Sequence, residues 1–251
     1  MGSAAASHGR RQLSEEFVTY KLMDLIDDFA AAGYPIWIQD FGRIEEASHG
    51  ADIELWFWDR SAHLATGWLV QAKRLSAPRT TPSAPRFEAI DHKVGGKAQV
   101  DLLVAAASAE PGLTPIYWLY SWDFPRPTRC VGPGQPCRCT PSGLDDALLV
   151  APATVIAGTS GKTWHSVVMK NRDSLDSLRR IWCHASGSVS TLAAATAALR
   201  SAPAVGQSDQ RPLTVERPPL YVLDSFGLRN ADDREDDSGR TSARRLALFA
   251  I

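Results

Sequence analysis

No stretch of the 251-residue chain approaches the roughly 18 consecutive apolar residues of a membrane-crossing helix, although 44% of its residues are hydrophobic. A membrane protein is therefore not expected. Excess charge of one sign is missing too. With 27 Lys and Arg against 28 Asp and Glu, the formal net charge is -1, and nothing draws the whole molecule to a polyanion. Any nucleic-acid surface has to be local. The segment MGSAAASHGRRQ carries no apolar run behind its arginines and does not read as a secretory signal, so a cytoplasmic location is expected. Cysteine is sparse, and a reducing compartment argues against a disulfide framework for Cys130, Cys137, Cys139 and Cys183. RCVGPGQPCRC with Cys183-His184 could form a structural zinc site, but it holds no CxxC pair, and reduced thiols are the simpler expectation. The six histidines show no HExxH spacing. GTSGKT at 158–163 lacks the phosphate-loop spacing, because only Thr159 and Ser160 separate Gly158 from Gly161, and it reads as an ordinary loop.

What is present is an alternation of helical and strand-like segments sized for one main core. Ser14 suits an N-cap for a helix running to about Ala32, with Val18, Leu22, Leu25, Ile26 and Phe29 as its apolar stripe. IWIQDF, ADIELWFW and WLVQAKRL follow as strands, the last two as a hairpin across DRSAHLATG. Three prolines make 75–92 a loop. Val100, Leu103, Val104 and Ala107 predict a helix over 96–107, and TPIYWLYS a buried strand after it. Further on, LDDALLVAPATVIAG, SLDSLRRIWCHAS and TLAAATAALRSA read as helical. The chain divides on this reading into a core over 13–124, an additional region over 125–201 packed on it, and a tail over 202–251. Within the tail, NADDREDDSGR looks solvated and PPLYVLDSF can add a late strand. Trp56, Trp58, Trp68 and Trp118 are most simply core residues.

Side chains two apart in a strand share a face, so Gln71 and Lys73 of WLVQAKR point one way while Val70 and Ala72 point the other. Asp52 and Glu54 share a face in the preceding strand. If the hairpin aligns the two faces, a carboxylate, an amide and an ammonium converge. That mixture suits phosphodiester hydrolysis, which needs a hard cation held by oxygens, an activated water and stabilised negative charge. Asp52 supplies the anionic ligand, Gln71 its side-chain oxygen, Ala72 a backbone carbonyl, and Lys73 a group that orients water or neutralises phosphate. Glu15 or Glu16, at the start of the first helix, can add a second acid. The bland alternative is a turn acid at Asp52, a solvated strand end at Lys73-Arg74, and helix-dipole acids at Glu15 and Glu16.

GADIELWFW followed by WLVQAKR, after a helix beginning SEEFVT, resembles the PD-(D/E)XK nuclease superfamily in its D…QxK form. The resemblance covers about residues 14–121 and is nearest to bacterial domains that pair a GAD strand with a QAKR strand. It implies a restriction-endonuclease-like α/β core, a central mixed sheet flanked by helices, here with an additional C-terminal α-rich region. It also implies hydrolysis of DNA with Mg²⁺ (or Mn²⁺), in restriction or antiphage defence, with DNA and proteins of a defence system as partners. A homodimer would bring two sites to two strands. By position, Asp52 matches the metal-binding acid, Gln71 the place usually held by Glu or Asp, Lys73 the catalytic lysine, and Glu16 the acid of the first helix. Gln99 matches a polar position facing the site, and Glu46 a weaker one before the acidic strand. The amide at Gln71 removes one negative charge from the metal shell, which Glu54 or a helix glutamate can replace. Two alternatives are an inactive nuclease-like module that binds DNA or protein, and an effector gated by its C-terminal half.

Overall fold

The computed structural model describes residues 19–24, 36–39, 48–76, 85–120, 131–132, 135–136, 148–178, 181, 189–200, 212–225 and 246–250. Glu15, Glu16, Glu46, the four cysteines, His184 and the charged segment 230–240 lie outside these residues. The strands are β1 (Ile36–Gln39), β2 (Ile53–Asp59), β3 (Leu64–Ser76), β4 (Arg86–Phe87), β5 (Lys93–Val94), β6 (Lys97–Ala98), β7 (Leu113–Tyr120), β8 (Val131–Gly132), β9 (Gln135–Pro136), β10 (Leu148–Pro152), β11 (Asp176–Ser177) and β12 (Leu246–Ala250). The helices are α1 (19–24), α2 (Gln99–Ser108), α3 (Ala153–Ala157), α4 (Val189–Arg200) and α5 (Leu220–Ser225).

The main sheet runs β1-β12-β2-β3-β7-β10-β11, with β4 on the end of β3. It is mixed. The pairs β12/β2 and β3/β7 are parallel, and the other adjacent pairs on this path are antiparallel. β2 and β3 form the expected hairpin, registered from Ile53↔Val70 to Asp59↔Leu64. Its turn is held by Asp59, whose Oδ1 accepts from the Ser61 amide (3.0 Å), the Ser61 hydroxyl (2.7 Å) and the Ala62 amide (3.0 Å). That register sets every later contact at the other end of the hairpin.

Alternation along the strands divides the core in two. Trp56, Leu69, Leu75, Tyr117, Leu119 and Ala151 face one side, together with Leu103 and Ala107 of α2 and Ala153 and Ile156 of α3. Ile53, Leu55, Phe57, Trp68, Val70, Ala72 and Trp118 face the other, with Met23 of α1 and Val189 and Leu192 of α4. On the second side Trp68 donates to Thr196 of α4 (3.1 Å). On the first, Trp56 lies over Gly67, where a methyl group would come within 2.8 Å of the indole ring.

Several segments differ from their expected form. LLVAP, read as helical, is β10, and only ATVIA beyond it is helical. A short apolar run without periodicity suits either state, and its pairing with β7 decides for strand. SLDSL contains β11 where a helix was expected, paired to β10. LYVLDS is a helix rather than a late strand, since the Pro219 carbonyl accepts from the amides of Val222 (3.0 Å) and Leu223 (3.2 Å). Helix α2 starts at Gln99 because a Gly95-Gly96 hairpin occupies the preceding residues. The end of the tail enters the sheet as β12, and the C-terminal half contributes strands as well as helices.

Candidate active site at the start of β2

β3 continues past the point where β2 begins, so the main-chain groups near Ala72 meet side chains. The Asp52 amide donates to the Val70 carbonyl (2.8 Å). The Asp52 carboxylate then turns onto β3, where Oδ2 accepts from the Ala72 amide (2.7 Å) and from Gln71 Nε2 (2.5 Å). Gln71 Nε2 also donates to the Ala72 carbonyl (3.1 Å). One amide nitrogen is thus held between a carboxylate oxygen and a carbonyl oxygen. Gln71 Oε1 is buried and has no hydrogen-bond partner among the described residues.

Gly50 makes this approach feasible. It has a φ of +66°, and a methyl group there would lie 2.5 Å from the Gln99 carbonyl oxygen. The GA of GAD therefore seats the chain against the start of α2 so that Asp52 can reach β3. Gln99 is itself buried, its backbone amide donates to the His92 carbonyl (2.9 Å), and its Oε1 has no partner among the described residues.

Lys73 follows Gln71 on the same face and is 5% exposed. Tyr117 stands beside Gln71 in the neighbouring strand. Its hydroxyl is buried without a partner among the described residues. Burial first, then the negative charges of Asp52 and Asp101, push its pKa above the ordinary 10.0, so it stays a neutral donor. Neither Tyr117 nor Asp101 stood out in the sequence. Tyr117 sits in a buried apolar strand, and only the parallel β3/β7 register places it next to Gln71.

Glu54 is fully buried and has a different occupation. Its Oε1 accepts from Trp56 Nε1 (2.9 Å) and from the Tyr221 hydroxyl (2.5 Å), which ties α5 to the sheet. GTSGKT is a packing loop. Lys162 accepts from the Phe87 amide at its carbonyl (2.8 Å) and pairs with Asp91 (3.2 Å). Among the described residues no group of three or more His, Cys, Asp and Glu converges as a metal cluster.

A divalent cation would find two oxygens, from Asp52 and Ala72, already aimed at the place held by the Gln71 nitrogen. Turning that amide end for end would replace the nitrogen by the partnerless Oε1. Without a cation the turn would set Oε1 against the carboxylate, so the nitrogen-inward arrangement is preferred; with one, three oxygens would face it. The donor set fits a hard cation, with a single formal charge among the described ligands.

The fold is a mixed α/β sheet between helices, with an acid and an amide joined where β2 starts and a buried lysine two residues further along β3. The chain matches a family of unknown function (DUF6615) over residues 3–249, and it belongs to that family. No curated protein and no solved structure matches it.

Proposed function

We propose that the protein is a metal-dependent nuclease that hydrolyses phosphodiester bonds in DNA, with a restriction-endonuclease-like core and a role in bacterial defence or restriction. The observation that carries this reading is the convergence of Asp52 Oδ2 and the Ala72 carbonyl on the Gln71 amide, with Lys73 on the same face. Asp52, the Ala72 carbonyl and Gln71 Oε1 would hold Mg²⁺ or Mn²⁺, and Glu16 is the expected additional acid. When bound, the cation polarises the phosphate and lowers the pKa of a coordinated water. Lys73 then neutralises the phosphate or orients the attacking water. Tyr117, kept protonated, offers a donor beside the same point.

Incubation of plasmid DNA with Mg²⁺ or Mn²⁺ tests this. Asp52→Ala and Lys73→Ala should each abolish cleavage while leaving the protein folded. Cleavage that survives both substitutions overturns the assignment. The second reading is a nuclease-like binding module that has lost catalysis, in which the Gln71 nitrogen would hold the two oxygens permanently. Calorimetric titration separates the two, because the binding module takes up no cation at Asp52.

A further inference from the structure

We infer that the β5–β6 ribbon is a duplex-DNA grip, inserted in the major groove beside the cleavage site, with Lys93 and Lys97 each on one phosphate strand. This deepens the nuclease reading by naming its substrate as double-stranded DNA.

The ribbon is short and tightly turned. Lys93 pairs with Ala98 and Val94 with Lys97, across Gly95 (φ +58°) and Gly96 (φ +85°). Two consecutive positive φ values suit the tight turn whose twist matches that of a two-stranded ribbon. Among the described residues nothing packs on its tip, since a methyl group built at Gly95 or Gly96 would meet none of their atoms within 4 Å. Its base is fixed, because the Gln99 amide donates to the His92 carbonyl (2.9 Å). Gln99 in turn lies against Gly50, two residues before Asp52. A projection open at its tip and anchored at the site is placed to hold a substrate rather than to complete the core.

Its charge points the same way. Lys93 and Lys97 are exposed. The nearby acids Asp91 and Glu88 are already paired, with Lys162 (3.2 Å) and Arg74 (3.4 Å). Asp101 is the one acid in the first turn of α2. A local cationic excess therefore exists on a chain whose net charge is -1. Paired residues of a ribbon share a face, so Lys93 with Ala98 lies on one face and Lys97 with Val94 on the other. Two ammonium groups directed oppositely need two rows of phosphate. The B-DNA major groove, about 12 Å wide, admits a two-stranded ribbon between such rows. The major groove of duplex RNA is too deep and narrow, and a single strand offers one row.

The test uses the full chain in chelator, so that binding is read without cleavage, on labelled duplex DNA, its single strand and duplex RNA of the same sequence. Fluorescence anisotropy over a salt series should give the tightest binding to duplex DNA. Lys93→Ala with Lys97→Ala should weaken it at least tenfold and reduce the slope of log K against log salt by about 2. Thermal unfolding should not change, since both side chains are exposed. Equal affinity and slope in the double variant, equal binding of the other two nucleic acids, or no binding by the wild type would each overturn the grip. The nuclease reading fails separately, if the wild type binds through the ribbon but never cleaves with Mg²⁺ or Mn²⁺.

Discussion

Gln71 exchanges a charge for a hydrogen bond. Its Nε2 lies 2.5 Å from an Asp52 oxygen, where a carboxylate would meet like charge. Gln71→Glu should therefore bind Mg²⁺ or Mn²⁺ more tightly, by about tenfold or more in a calorimetric titration, because a second anionic oxygen joins the shell. Without metal the two carboxylates should share a proton, with one pKa raised above its unfolded value. A raised folded pKa favours the native state at low pH and loses that advantage as pH rises, so the metal-free variant should melt lower at pH 8 than at pH 5, relative to wild type. Unchanged cation affinity would mean that Gln71 is not a ligand. Tyr117 gives the opposite test. Removing a buried hydroxyl without a partner should leave stability unchanged or raise it by about 1 kcal/mol, so Tyr117→Phe should melt no lower than wild type. Because the folded hydroxyl ionises above 10.0, the wild type should lose stability as pH rises past that value, and the variant should lose less. A melting loss larger than 2 kcal/mol would show that the hydroxyl is bonded.

Among the elements, the hairpin and the segment GAD bring the site together. Gly50→Ala combines a positive φ with a contact of 2.5 Å to the Gln99 carbonyl, and should cost about 2–4 kcal/mol in denaturant unfolding. A near-neutral result would mean that this backbone is free to shift, and Asp52 with it. The hairpin was legible because period-two alternation assigns every side chain of β2 and β3 to a face once the turn is placed. Gln71 with Lys73 and Val70 with Ala72 divide as that rule requires. It could not show that the Ala72 amide binds Asp52, since that depends on where β2 starts relative to β3. Nor could it separate strand from helix in LLVAP, or find β11 in SLDSL, because pairing with distant strands decides those segments. LYVLDS needed a different signal, the two prolines that precede it and start a helix.

For the whole molecule, the question is whether residues 13–124 can stand alone. Several contacts from the C-terminal half close the hairpin that carries the site. The Ala65 amide donates to Val215 (2.6 Å), and the Val215 amide donates back (2.8 Å). The Thr66 hydroxyl donates to the Leu213 carbonyl (2.7 Å). Tyr221 donates to the buried Glu54, and β10 and β12 each add a strand to the sheet. Cutting the chain after residue 124 would remove the β7 partner β10, expose the hydrogen-bonding edge of β2 that β12 covers, and leave Glu54 with fewer donors. The fragment should therefore aggregate or unfold without cooperativity, whereas the full chain should give one transition in circular dichroism. Tyr221→Phe is the milder version. Losing a hydrogen bond to a buried carboxylate should cost about 1.5–3 kcal/mol. That loss should appear in melting temperature, with the cation affinity at Asp52 preserved. A fragment that folds and binds metal as well as the full chain would show instead that the C-terminal half is an accessory to the site.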